Sequence, residues 1–352
     1  MEKIKKSLAS PKITVRQALK QMDEAGEKIL FVVDDTKRLL GVVTDGNIRR
    51  WILRGGSLVQ PISKAMHKRP IILHEGYTKE QAKEMMLKYS IECIPVVSSD
   101  KKILSAIWWH DIFENKAISK KKIKLPIVLM AGGEGTRLSP FTSVLPKPLM
   151  LIGDKPISEI IMERFSQYGC RLFYMSVNYK SNIIKAYFDD FNHPYKIHFI
   201  NEKKPLGTAG SLSLLKNNIK TTFFVTNCDI IIEADYSDIL SFHKQNGNHI
   251  TLVGSMKHYT IPYGICRTGR AGILNAIEEK PEYDYLVNTG MYVLEPEIMK
   301  FVPKGKLFHM TDLMRICMKS GKKVAVYPIS EKSWMDMGQF EELKEMLKKV
   351  GA

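Results

Sequence analysis

The sequence has no uninterrupted apolar run of the eighteen or so residues that a membrane-crossing helix needs. Its lysine-rich start, "MEKIKKSLASPK", is not followed by the apolar core of a secretory leader. A cytoplasmic protein is expected. Cysteine is scarce: Cys93, Cys170, Cys228, Cys266 and Cys317 are scattered, with no CxxC pair and no Cys/His cluster at zinc-ligand spacing. A disulfide framework and a structural zinc site are therefore excluded, and reduced thiols are expected. No Gly-Lys-Ser/Thr occurs where a P-loop would need it, and Gly133-x-Gly135 lacks the third glycine of a dinucleotide fingerprint.

What is abundant is positive charge, +16 in 352 residues. Residues 1–125 hold 25 Lys and Arg against 14 Asp and Glu, and the remainder holds 28 against 23, so the excess is mostly N-terminal. The cations are spread singly, without interleaved aromatics or a DNA-binding module. Solvated faces and a pocket for small anions are expected, with no nucleic-acid partner and no membrane.

The N-terminal part repeats itself at an offset of 64 positions without a gap. Thr14 falls on Thr78, Gln17 on Gln81, Ala18 on Ala82, Met22 on Met86, Val32 and Val33 on Val96 and Val97, and Ile48 on Ile112. Each copy reads as a capped amphipathic helix, two apolar strands around a polar turn, and a short helix. This order resembles the CBS domain, which works in side-by-side pairs and commonly takes adenine nucleotides. The resemblance implies a tandem pair over residues 1–117, with repeats at about 8–60 and 66–117, and self-association into a homo-oligomer. The ligand pattern of that family is a threonine followed three residues later by a ribose-binding aspartate. It is split here: the first copy has Thr44 and Asp45 but Asn47, and the second has Asp111 but Trp108. Two readings stand, one mixed adenine-nucleotide site and a pair kept for packing or dimerisation. Residues 118–125, within the polar, lysine-rich stretch "NKAISKKKIKLP", read as an exposed linker.

Next comes "LPIVLMAGGEGTRLSPFTSVLPKPLM", an apolar strand running into glycines. Backbone amides unobstructed by side chains can surround a polyphosphate, and Arg137 adds a forked cation. Lys147 stands between Pro146 and Pro148, which fix the local backbone and aim one ammonium group. Further on, "FFVTNCDIII" is an apolar strand interrupted by Asp229, a charge that is costly there unless a cation or hydrogen bonds meet it.

These segments, in this order, resemble the sugar-phosphate nucleotidyltransferases over about residues 124–350. Within that family the combination with a CBS pair is similar to glucosamine-1-phosphate guanylyltransferases of bacterial legionaminic acid synthesis. The resemblance implies a doubly wound, mainly parallel Rossmann-like sheet over 126–352, making an α/β protein of two domains. It implies transfer of a nucleotidyl group, GMP from GTP, to a hexosamine 1-phosphate with release of pyrophosphate, and Mg²⁺ as cofactor. Mannose 1-phosphate is the alternative acceptor.

The same resemblance assigns residues. Ala131, Gly132, Gly133, Gly135 and Thr136 would cradle the nucleotide, with Gly207 and Thr208 near the base. Arg137, Lys147 and Lys280 would meet phosphates. Tyr263, Gly264, Glu279, Asn288 and Thr289 would face the sugar, and Asp229 and Asp336 would hold the metal ahead of a terminal helix. Each motif alone has an ordinary explanation: Asp336 before Gly338 suits a helix-initiating turn, and "EEKPE" suits an exposed one. His309 reads as a packing or surface histidine. A rival reading, a nucleotide sensor without turnover, requires loss of the charged positions, yet all of them are present.

Overall fold

The computed structural model describes residues 2–89, 91–112, 121–190 and 193–338, in two compact units, Met1–Lys120 and Lys121–Ala352. Part of the expected linker, the end of the second repeat and the expected terminal helix lie outside the described residues.

In the first unit both copies fold alike. Helix α1 (Val15–Ala25), strands β1 (Ile29–Val33) and β2 (Leu39–Thr44) and helix α2 (Asp45–Leu53) are followed by α3 (Lys79–Tyr89), β3 (Cys93–Val97), β4 (Ile103–Trp108) and α4 (Trp109–Ile112). The helix starts follow from sequence: the Gln17 amide donates to Thr14 Oγ1 at 3.1 Å, and the Gln81 amide to Thr78 Oγ1 at 3.2 Å. Even the irregularities repeat, with a register shift at Val32/Val33 and again at Val96/Val97, and φ of 63° at both Lys37 and Lys101. The copies join reciprocally, Leu39 N–H to Lys101 C=O at 2.9 Å and Ile103 N–H to Lys37 C=O at 3.1 Å. Phe31, Val42, Cys93 and Trp108 form a small shared core between them.

The second unit is built on β5 (Ile127–Ala131), α5 (Ile157–Gln167), β6 (Leu172–Val177), α6 (Ser181–Asp189), β7 (Lys196–Asn201), α7 (Gly207–Gly210), β8 (Phe223–Asn227), β9 (Ile230–Ile232), α8 (Tyr236–Gln245), β10 (Ile250–Thr260), β11 (Ile265–Thr268), β12 (Leu274–Glu278), β13 (Glu282–Leu294), α9 (Met310–Lys319), β14 (Val324–Ile329) and β15 (Trp334–Asp336). Seven strands form one sheet in the order β7-β6-β5-β8-β13-β10-β14. Only β13 runs antiparallel to its neighbours, so the sheet is mostly parallel.

Strand β5 shows why such a sheet needs helices on both faces. Ile127 and Leu129 pack with Phe165 of α5, Ile184 of α6 and Ile239 of α8, whereas Val128 packs with Leu313 and Cys317 of α9. A strand buried on both faces reads as a continuous apolar run, as "IVLMA" does. The second half of the expected linker belongs to this unit. Ile123 and Leu125, the apolar pair in a lysine-rich stretch, pack against its core, and the Ile123 amide donates to the Tyr168 carbonyl at 2.8 Å. Among the described residues no helix is long and apolar enough to cross a membrane.

Candidate active site

The C-terminal ends of β5 and β8 lie side by side, and the glycine loop and Asp229 leave from them. This is the edge at which parallel α/β sheets hold ligands. Gly135 has φ 69°, and a Cβ there would stand 2.8 Å from Thr142 Cγ2 and 3.3 Å from Lys147 Cβ, so only glycine lets the loop close onto the lysine segment. Thr142 Oγ1 fastens the loop by donating to the Gly135 carbonyl at 2.9 Å. A Cβ on Gly132 would stand 2.8 Å from Glu202 Oε1, whereas one on Gly133 would meet nothing within 4 Å. Thr136 and Arg137 are exposed at the loop's end, and Ala131 is buried beneath it.

Lys147 opens a single 3₁₀ turn, Lys147–Leu149, with Pro146 as its N-cap. The whole turn is buried, and Lys147 is only 8 % exposed. Its ammonium pairs with Asp229 Oδ2. The other oxygen, Oδ1, is buried with no hydrogen-bond partner. Beside it, burial pushes the Cys228 thiol up to about 12, which makes it an inert neighbour.

Asp336 is brought to Asp229 by main-chain pairing. Ile230 lies opposite Asp336 in the β9–β15 ladder, and the Met337 amide donates to the Asp229 carbonyl at 2.8 Å. Among the described residues no group of three or more His, Cys, Asp or Glu side chains could hold a metal unaided. Two carboxylates, one with an unsatisfied buried oxygen, fit Mg²⁺, which takes one or two protein carboxylates and completes its octahedron with phosphate oxygens and water.

On the other side, β11 and β12 form a hairpin with Ile265 opposite Glu278. A Cβ on Gly264 would stand 2.7 Å from Glu279 Oε2, so the two expected sugar-facing positions adjoin. Tyr263 is 74 % exposed, and Glu279 and Lys280 are exposed too. Lys280 has φ 45°, a left-handed conformation that costs a lysine backbone energy.

Two of the expected residues have hydroxyls that the fold itself uses. Thr289, expected beside the sugar, is 2 % exposed and gives its hydroxyl to the Val253 carbonyl at 2.7 Å, so it ties β13 to β10. Thr208, expected near the base, accepts the Met310 amide at 3.0 Å at the start of α9. In both cases the nearest unpaired backbone group claimed the hydroxyl. Asn288 remains exposed, its side-chain carbonyl taking the Gly290 amide at 2.9 Å. Gly207, at φ 76°, lies against the Phe308 carbonyl and the ring of His309, itself an exposed residue.

The residues described by the nucleotidyl transferase family model match 126–352 of the chain, and two CBS-domain matches cover 8–54 and 62–107. The chain belongs to the nucleotidyl transferase family. It is 32 % identical over 223 residues to a mannose-1-phosphate guanyltransferase of Pichia angusta, with 60 % of each chain covered. It is 30 % identical over 220 residues to the mannose-1-phosphate guanylyltransferase catalytic subunit beta of Danio rerio, covering 60 % of this chain and 61 % of that one. The match thus spans about three fifths of the length of these relatives. The crystal structure of HddC from Yersinia pseudotuberculosis is similar with a TM-score of 0.51 and 26 % identity, over 64 % of this chain and 99 % of that one.

Two residues of the nucleotidyl transferase domain escaped the sequence reading. Glu202 is buried beneath Gly132, takes the Ser176 hydroxyl on Oε1 and accepts the Leu206 amide on Oε2 at 2.8 Å. Its only signal was a carboxylate ending the strand before "KKPLGTAG". Asn227 packs under Gly290, where a Cβ would stand 2.5 Å from its Nδ2; nothing in "FFVTNCD" set it apart.

In the CBS pair the divided ligand motif serves as helix caps. Asn47 Oδ1 accepts the Thr44 amide at 2.9 Å, and Asp111 Oδ2 accepts the Trp108 amide at 2.9 Å. Asp45 is paired with Arg49 at 2.5 Å.

Proposed function

We propose that the protein joins a nucleotide to a sugar: the 1-phosphate oxygen of a hexose attacks the α-phosphorus of a nucleoside triphosphate, that P–O bond forms, and the bond to the β-phosphate oxygen breaks to release pyrophosphate. The observation that carries this reading is the Asp229 carboxylate, half engaged by Lys147 and half unsatisfied, beside Asp336 at the mouth of the glycine loop. Such a constellation suits a reaction between anions, where positioned cations stabilise charge spread over phosphoryl oxygens. A phosphate nucleophile is already ionised near neutral pH, so no general base is required.

In this reading Asp229 and Asp336 hold Mg²⁺, which when bound screens the triphosphate charge. Gly132, Gly133 and Gly135 admit the triphosphate, Arg137 meets the departing pyrophosphate, and Lys147 meets the α-phosphate. Lys280 meets the sugar's phosphate, and Glu279 with Tyr263, Gly264 and Asn288 orients the sugar. GTP is the proposed donor. Support comes from the guanylyl-transferring names of the relatives. Glucosamine 1-phosphate is the proposed acceptor, on the route to legionaminic acid, with mannose 1-phosphate as the second reading because both relatives carry that name. We also place the protein in the cytoplasm as a homo-oligomer, and for the CBS pair both readings stand, an adenine-nucleotide ligand or a pair kept for packing or dimerisation.

The test is a mass-spectrometric product screen: purified protein, Mg²⁺, all four nucleoside triphosphates together, and glucosamine, N-acetylglucosamine, mannose or glucose 1-phosphate singly. GDP-glucosamine, absent with Asp229→Asn, is the expected product. GDP-mannose alone would move the acceptor to the second reading. No nucleotide sugar under any condition, with AMP or ATP added, would leave the non-catalytic sensor in its place.

A further inference from the structure

The other end of the same strands holds an open cavity of about 630 Å³, lined by Lys122, Lys124, Arg171, Ser166, Gln167 and Thr221 over an apolar floor that includes Leu125 and Leu172. These residues stand at or just before the starts of β5, β6 and β8, which are adjacent in the sheet. The glycine loop and Asp229 leave from the opposite ends of β5 and β8. A five-residue strand separates the two places by roughly 15 Å. The cavity is therefore not an extension of the active site.

Its chemistry has one sign. Three of the lining residues are cationic, and none is a carboxylate. The C-terminus of α5 also faces this region, but it carries only about half a unit of negative charge, too little to answer three cations. Arg171 is held in place: its Nη1 donates to Ser166 Oγ at 2.9 Å and to the Pro194 carbonyl at 3.3 Å. The guanidinium is thus pre-oriented, with its Nη2 and Nε donors remaining for a planar or tetrahedral oxyanion. Lys124 has φ 44°, a conformation that a lysine adopts only when its surroundings hold it there. Lys122 lies along Gly169, where a Cβ would stand 3.4 Å from its own Cβ and Cγ. The volume falls in the range of small-molecule sites.

We propose that this cavity is a second, non-catalytic anion site that takes a phosphate ester of small-molecule size, its phosphate held by Arg171, Lys122 and Lys124 and its remainder resting on Leu125 and Leu172. The site stands apart from the choice of base and sugar at the active site. Because Lys122 and Lys124 belong to the segment through which the chain enters the nucleotidyl transferase unit, an occupant fixes that segment.

The test uses the full chain and two probes, inorganic phosphate and glycerol 3-phosphate, followed by equilibrium titration. The triple variant Lys122→Gln, Lys124→Gln, Arg171→Gln should weaken one class of site at least tenfold. The active-site variant Arg137→Gln should leave that class intact, and the triple variant's turnover without probe should match the wild type. Lysine acylation mapped by mass spectrometry supplies a readout on the unaltered protein: either probe should protect Lys122 and Lys124 but not Lys220. Protection by glycerol 3-phosphate at much lower concentration than by phosphate would assign the apolar floor to ligand contact; equal concentrations would reduce the site to one for free phosphate and overturn the ester. Unchanged titration of the triple variant, or no protection of Lys122 and Lys124, would overturn the site itself.

Discussion

The main-chain amide of Met337 donates to the carbonyl oxygen of Asp229 at 2.8 Å, and this bond, with the Ile230–Asp336 pairing beside it, makes Asp229 and Asp336, from distant parts of the chain, neighbours in one ladder. Backbone rather than side chain sets their approach. Replacing Asp336 with Asn should therefore leave the fold intact while lowering pyrophosphate release by at least about 100-fold, the scale of losing one electrostatic partner of a developing charge. Asp229→Asn should lose as much activity and also stability, about 1–3 kcal/mol, because it leaves the ammonium of the buried Lys147 side chain without its carboxylate. Denaturant midpoints measured beside turnover separate the two; equal midpoints would show that the buried pair contributes nothing.

The glycine loop offers an internal contrast. A Cβ at Gly132 collides with Glu202, whose two oxygens are held by Ser176 and Leu206, so Gly132→Ala should cost about 1–3 kcal/mol. Gly133 has open space around it and no left-handed φ. Gly133→Ala should leave the melting temperature within a degree of wild type while raising KM for the nucleoside triphosphate about tenfold if, as proposed, the space is the triphosphate's. A loss of stability in Gly133→Ala with KM unchanged would refute that assignment.

This contrast also marks the limit of sequence reading. Apolar runs such as "IVLMA", the 64-residue repeat and the capped helix starts were legible because burial and capping leave periodic or local marks. The need for a cation or hydrogen bonds at Asp229 was legible too, from the cost of a charge in an apolar run, and Lys147 meets it. The Thr289 hydroxyl's bond to Val253 and the place of Glu202 were not. Whether a hydroxyl faces a ligand or the neighbouring strand depends on the register of β13 against β10, and whether a glutamate lies beneath a loop depends on how β6 and β7 end, neither of which spacing along one segment records.

Acid should weaken the second unit through His243. Its Nδ1 lies 2.8 Å from Thr251 Oγ1 and its Nε2 3.1 Å from Glu295 Oε1, and the ring is 1 % exposed. Burial lowers its pKa below 6.5 and outweighs the Glu295 hydrogen bond and charge, while Lys244 and His249 push the same way as burial. The imidazole is then neutral, and the Glu295 contact is a hydrogen bond rather than an ion pair. Because the unfolded chain takes up the proton first, stability is complete above pH 6.5 and falls below it, by at most about 1.4 kcal/mol per pH unit for one proton. Melting temperatures from pH 7.5 to 5.5 should drop less in His243→Gln than in the wild type; parallel curves would place the acid sensitivity elsewhere.

Five lysines among the described residues have a left-handed backbone; of three of them, Lys37 and Lys101 at φ 63° and Lys280 at φ 45°, only Lys280 lies where the sugar phosphate is expected. A left-handed conformation costs an L-residue about 1–2 kcal/mol, and glycine avoids that at an entropic cost of about 0.5–1 kcal/mol in the unfolded chain. Each Lys→Gly change should therefore raise stability slightly, by about 0.5 kcal/mol. In Lys37→Gly and Lys101→Gly that gain should come with unaltered turnover, since those turns only join the two repeats. In Lys280→Gly the same gain should come with a turnover loss of at least about 100-fold, because the ammonium proposed to meet the phosphate is gone. Turnover unaltered in all three variants would make Lys280 a turn residue like the others and remove it from the site.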